Sequence, residues 1–98
     1  EDHVSMGTIA ARKARQIIEN VRNVLSIEII AAVQGIDLRE NGFEKLSFPN
    51  KTAHHLIRSK VPFYAIDREH YVDFDNVSKL IFSGNLLKEV EKVSGKLD

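Results

Sequence analysis

The residues with the most chemical promise stand first in the chain. "EDHVSMG" sets two carboxylates, Glu1 and Asp2, and an imidazole, His3, in consecutive positions. A desolvated carboxylate can act as a base or stabilise a cationic group. Asp2 and His3 suit orienting the segment or capping a following helix better than direct chemistry. Were Glu1 a true terminus, its amine, two backbone amides and His3 would form a square-planar site for Cu(II) or Ni(II). Such a site would be an accident of where a longer chain was cut, and no metal is assigned to it. His54 and His55 are adjacent, so a helix points them about 100° apart, and they cannot share a metal as an i, i+4 pair would. His70 has no evident partner, and all three read as surface or interface histidines. Arg12, Lys13, Arg15 and Arg22 could attract phosphate, but Glu19 lies among them and the pattern fits a solvated or subunit-facing helix face.

The elements that must carry these residues follow from periodicity. In "MGTIAARKARQIIENVRNVL" the residues Ala10, Ala14, Ile17, Ile18, Val21, Val24 and Leu25 recur at i, i+3, i+4, which predicts an amphipathic helix. In "VLSIEIIAAVQG" the apolar residues go nearly all the way round, as in a helix buried on every side. The long helix is expected from about residue 5 to about residue 34, with Gly35 as terminator. Glu28 stands alone among Ile27, Ile29 and Ile30, a costly place for an unpaired carboxylate. A donor on a neighbouring helix is expected to satisfy it.

Downstream, "GIDLRENGFEKLSFPN" reads as a connection. A short helix follows in "PNKTAHHLIRSKVPF", starting near Asn50 or Thr52 and closed by Pro62. Ala53, Leu56, Ile57 and the stem of Lys60 form its inner stripe. Phe63, Tyr64, Tyr71 and Phe74 are expected as packing anchors rather than a ligand box. Asp73 or Asp75 is placed to cap a helix through "NVSKLIFSG", ended by Gly84. Asn85 is placed to cap a last helix with Leu86, Leu87, Val90 and Val93 inward, closed by Gly95. The expected fold class is all-α: one long bundle helix over residues 1–39, then a tail of three short helices over 40–98.

Composition narrows the function. The chain has 98 residues, 43% hydrophobic and 29% charged, which suits one small folded domain. Its 14 basic and 14 acidic residues cancel, so charge makes no case for nucleic acid or an anionic membrane as partner. There is no cysteine, hence no disulfide, no thiolate metal site and no cysteine nucleophile. No leader or membrane-spanning run is evident, and a cytoplasmic location is expected. Size adds a conflict. Thirty helical residues span about 45 Å, whereas a compact chain of this length is roughly 33 Å across. The helix is therefore expected to pack against protein that this sequence does not contain.

"EDHVSMGTIAARKARQIIENVRNVLSIEIIAAVQGIDLR" closely resembles a segment of the histidine ammonia-lyases, in the aromatic amino-acid ammonia-lyase family. "IRSKVPFYAIDREHYVDFDNVSKLIFSGNLL" is similar to the C-terminal tail of that family. The resemblance covers the whole chain but only the last part of a family member, and so implies a C-terminal fragment of a larger helical lyase fold. It implies elimination of ammonia from L-histidine to give urocanate, in a homotetramer built around long helices. The electrophile of the family is a methylidene-imidazolone group, formed from its own Ala-Ser-Gly. No Ala-Ser-Gly occurs here, so the resemblance implies no cofactor in this chain and no activity for it alone. It further implies that Glu1 lines the active site of the intact enzyme, as wall residue or base. Glutamate rather than glutamine at that position favours histidine as substrate. Two alternatives stay open: a stand-alone helical oligomerisation module, and a fragment of a related aromatic lyase or aminomutase.

Overall fold

The structure is a computed structural model that describes residues 2–97, with side chains from residue 6 onward. Four helices follow in order: α1 Asp2–Leu38, α2 Phe48–Arg58, α3 Tyr71–Phe82 and α4 Asn85–Ser94. No strand occurs among the described residues, so the all-α expectation holds. The three short helices gather around the C-terminal half of α1. There α1 packs on α3 and α2 packs on α4, while α3–α4 and α1–α2 contacts close the group.

The core is small and lies in that group. Ile30 and Val33 of α1 meet Ile57 of α2, Val61 beyond it, and Val77 and Leu80 of α3. Ile57, Val61 and Val77 are almost wholly buried. Leu86 from α4 packs at the edge. Every residue from 6 to 21 is exposed, so α1 projects from the group as a bare arm. The extents are 60 × 36 × 17 Å and the radius of gyration is 17.1 Å. A compact chain of this length would have about 13 Å. The overshoot expected from the helix length is therefore real.

Several boundaries differ from expectation, each for a local reason. Gly35 does not end α1, because the tail packs on Val33 and holds Asp37 beyond it. The chain turns at Asn41, whose φ of 56° is left-handed, and at Gly42. A Cβ on Gly42 would lie 2.1 Å from the Ile36 carbonyl oxygen, so this turn has room only for glycine. Neither Asn50 nor Thr52 caps α2. Ser47 does, accepting from the Asn50 amide, with Pro49 in the first turn where no amide donor is needed. The helix stops at Arg58, before Pro62, and Lys60 is exposed rather than inward.

Neither Asp73 nor Asp75 caps α3. His70 holds the cap position, and Asp73 is drawn inward to other partners. Phe63 and Tyr71 are exposed, leaving Tyr64 and Phe74 as the anchors. Gly84, with φ of 82°, separates α3 from α4 and takes the cap position given to Asn85. Leu87 and Val93 face outward. Gly95 closes α4 as expected.

Candidate functional site

Glu1, the one catalytic candidate, lies outside the described residues, as does the side chain of His3. The described polar residues gather instead at two joints, one between α1 and the tail and one within the tail.

The first joint centres on Asp37 in the last turn of α1. Its two carboxylate oxygens take different partners from α2: His54 Nε2 at 2.7 Å and Arg58 Nε at 2.8 Å. His54 and Arg58 are i, i+4 on α2, so one helix face delivers both. Burial pushes the Asp37 carboxyl up, but hydrogen bonds from Arg58 and His54 and the charge beside them outweigh it and hold it below its ordinary value. Arg58 also donates to Gln34 Oε1 at 3.2 Å and to the Val61 carbonyl at 3.0 Å. Gln34 in turn bridges to Tyr64, donating to its carbonyl and accepting from its amide. Two stretches of the tail, α2 and the loop at Tyr64, are thus sewn to one turn of α1.

A carboxylate only accepts, so Nε2 of His54 carries the shared hydrogen. Its other nitrogen, Nδ1, is buried with no hydrogen-bond partner. The ring packs against Phe43 at 4.9 Å. Of the histidines read as surface or interface residues, His54 is buried where α2 meets α1, whereas His55 is exposed. The sequence signal for this joint was the basic pair at helical spacing. Nothing in the sequence marked Asp37 as its partner.

The second joint centres on Asp73 in the first turn of α3. Tyr64 donates its hydroxyl to Asp73 Oδ2, and Arg68 Nη2 donates to the same oxygen at 3.1 Å. The Arg68 guanidinium lies 3.9 Å over the Tyr64 ring, and His70 stacks on Phe74. Burial, then the hydrogen bond to the Asp73 carboxylate, pushes the Tyr64 phenol above its ordinary value. An open groove of about 320 Å³ runs beside this joint, lined by Ile27, Ile30, Ala31, Tyr64, His70 and Phe74.

Higher on α1, Arg22 donates to Ser78 Oγ at 3.2 Å and lies 4.5 Å over the Phe82 ring. It therefore belongs to the α1–α3 contact, not to a phosphate patch. Arg12, Lys13 and Arg15 are exposed. Ser26 is fully buried on the same face and returns its hydroxyl to the Arg22 carbonyl at 2.8 Å. Glu28 is exposed, so nothing within this chain buries it.

These arrangements fasten helices; they hold no nucleophile beside a base. Two Ser-Gly pairs lie in the tail. Phe82 precedes Ser83 and Val93 precedes Ser94, and both serines occupy helix ends. Among the described residues no three His, Asp or Glu side chains converge as a metal site, and no helix is long and apolar enough to cross a membrane.

The described frame is a long, half-bare helix anchored by a small helical tail. The family model for aromatic amino acid lyase matches residues 1–59, and the chain belongs to that family. Within it the chain is similar to histidine ammonia-lyases. It is 52% identical over 92 residues to the histidine ammonia-lyase of Alkaliphilus oremlandii. It is 45% identical over 97 residues to that of Natranaerobius thermophilus, and 43% identical over all 98 residues to histidine ammonia-lyase 1 of Fusobacterium nucleatum. These alignments take in 94%, 99% and 100% of this chain but only 18–19% of each relative. No solved structure matches the chain.

Proposed function

We propose that this chain serves as the C-terminal scaffold segment of an enzyme that eliminates ammonia from L-histidine to give urocanate. The observation that carries this reading is the alignment of nearly the whole chain with histidine ammonia-lyases. The bare arm of α1 supports it, because an amphipathic helix exposed from residue 6 to residue 21 needs a cover this chain does not supply. In that enzyme Glu1 lines the active site, where a desolvated carboxylate serves as base or stabilises a cationic imidazole or ammonium group. The methylidene-imidazolone electrophile belongs to a part of the enzyme outside these 98 residues, since no Ala-Ser-Gly lies within them. The chain alone is therefore inactive. The long helix self-associates, within a homotetramer of the intact cytoplasmic enzyme.

A graft tests this. The corresponding C-terminal segment of the Alkaliphilus oremlandii enzyme is replaced by this chain, and urocanate formation from histidine is followed by absorbance. Retained turnover is expected, with Glu1→Gln lowering it about 10²-fold or more. An assembled graft without histidine activity would overturn the reading, as would turnover by the 98-residue chain alone.

A further inference from the structure

The turn that follows α1 places two demands on one dipeptide. Asn41 takes a left-handed backbone, with φ of 56°, and is the only non-glycine among the described residues to do so. Asparagine bears that conformation more readily than most residues. Gly42 has no room for a side chain, since a Cβ would lie 2.1 Å from the Ile36 carbonyl oxygen. Asn-Gly meets both demands, and it occurs once in the chain. The same dipeptide carries a chemistry of its own. No side chain shields the Gly42 nitrogen, so it can reach the side-chain carbon Cγ of Asn41, which is exposed to water. The turn restrains that approach. The Gly42 amide donates to the Arg39 carbonyl at 3.1 Å, and the Lys45 amide donates to the Asn41 carbonyl at 3.3 Å.

We propose that Asn41 is a modification site, where spontaneous deamidation is held back while the turn is formed and released when the turn opens. The Gly42 nitrogen gives up its hydrogen and bonds to Cγ of Asn41. The Cγ–Nδ2 bond breaks, and ammonia leaves. Water then opens the five-membered imide at either carbonyl, giving aspartate or isoaspartate at 41. Water is the only co-reactant, and nothing is oxidised or reduced. The first step needs the Gly42 N–H free of Arg39, so its rate follows the fraction of time the turn is open. Either product damages the turn that made it. A carboxylate at 41 joins Asp37 and Glu44 around one shallow hollow, in which Arg39 is the one cation of the lining. It also lies just past the C-terminus of α1, whose last turn has no basic residue, and there the helix dipole opposes negative charge. Isoaspartate further adds a backbone carbon between 41 and 42, where the chain has no slack against Ile36. Each conversion therefore loosens the turn that folds the tail back onto α1, and the change runs one way. It does not depend on the lyase reading.

The test keeps the 98-residue chain in mildly alkaline buffer, either folded or in urea, and follows each of its six asparagines by peptide mass mapping, with ammonia release as a second readout. In urea Asn41 is expected to convert well ahead of the other five, each of which is followed by a residue with a side chain. The folded chain is expected to convert roughly tenfold more slowly or less, as for a site that reacts only from an open state. The converted chain, separated by its added charge, is expected to melt at a lower temperature than the parent. Asn41→Gly keeps the left-handed turn without the side-chain amide, and is expected to melt near the parent while losing the fast phase of ammonia release. Asn41 left intact in urea while another asparagine converts overturns the proposal. So does equal conversion in the folded and unfolded chain, a converted chain that melts with the parent, or an unchanged fast release from Asn41→Gly.

Discussion

The two halves of α1 make an instructive pair. They are one unbroken helix with comparable apolar content, yet the half from 6 to 21 buries nothing and the half from 22 to 38 holds part of the core. The difference lies in what the rest of the chain can reach. The tail is tied to the C-terminal half through Arg22, Gln34 and Asp37; α3 and α2 cover it, and α4 packs behind them. Helix formation and helix burial are therefore separate facts here. The periodicity fixes the first along the whole length, and the short tail limits the second to one end.

The sharpest break of that contrast is a matched pair of truncations. Ile57→Ala empties a fully buried site facing the covered half and should cost about 2–5 kcal/mol. Ile17→Ala trims a residue that is 61% exposed on the bare half and should stay within about 0.5 kcal/mol in dilute solution. Denaturant unfolding at concentrations where the chain is monomeric measures both. Equal losses would mean that the bare half is not bare in solution.

Gly42→Ala probes the turn that folds the tail back onto the covered half. The added methyl meets the Ile36 carbonyl oxygen, which is backbone and cannot swing away. A loss of about 1–3 kcal/mol is expected, as for overpacking. Amide exchange should rise in α2 and α3 while the arm of α1 stays unchanged. An unaltered melting temperature would show that the turn relaxes freely.

Asp37 gives the contrast a pH axis. Its folded carboxyl lies below the ordinary value, so the stability it contributes is present above the unfolded value near 3.8 and is lost as pH falls through the folded value. Stability should therefore be level near neutrality and should decline below about pH 4. Asp37→Asn should remove that part of the decline and lower stability at pH 7 by about 1–3 kcal/mol, because its single carbonyl oxygen can accept from only one of His54 and Arg58 and the charge is lost. Tyr64 works in the opposite direction. Its phenol is raised, so its contribution is present below pH 10 and fades as pH climbs through the folded value. Tyr64→Phe should abolish the alkaline limb. Acid unfolding of Asp37→Asn that overlays the parent would remove the first joint as a pH-sensitive fastening.

Much of this was legible in the sequence because periodicity is local. The four helices, the excess length of α1 and the Gly84 and Gly95 breaks follow from spacing alone. The all-round apolar stretch misled: only the face of Ser26, Ile30 and Val33 is buried, while Val24, Leu25 and Ile27 stay exposed, because periodicity reports apolar content and not what covers it. The joints were not legible, because they are tertiary. Asp73 looks like a helix cap until Tyr64 and Arg68 arrive from a loop. His54 looks like a surface residue until Asp37 does. Glu28 looks costly only if something buries it, and within this chain nothing does.

The smallest expected effect separates the two halves in size. Gly35 sits inside α1 with open space where a Cβ would go. Alanine there should stabilise the dilute chain by about 0.5–1 kcal/mol, since glycine costs a helix interior that much. Gly35→Ala should thus raise the melting temperature of the dilute chain. Gly7→Ala should give a smaller gain, because frayed helix ends feel propensity less than interiors. A melting temperature that falls for Gly35→Ala would show that part of this chain covers that side of α1.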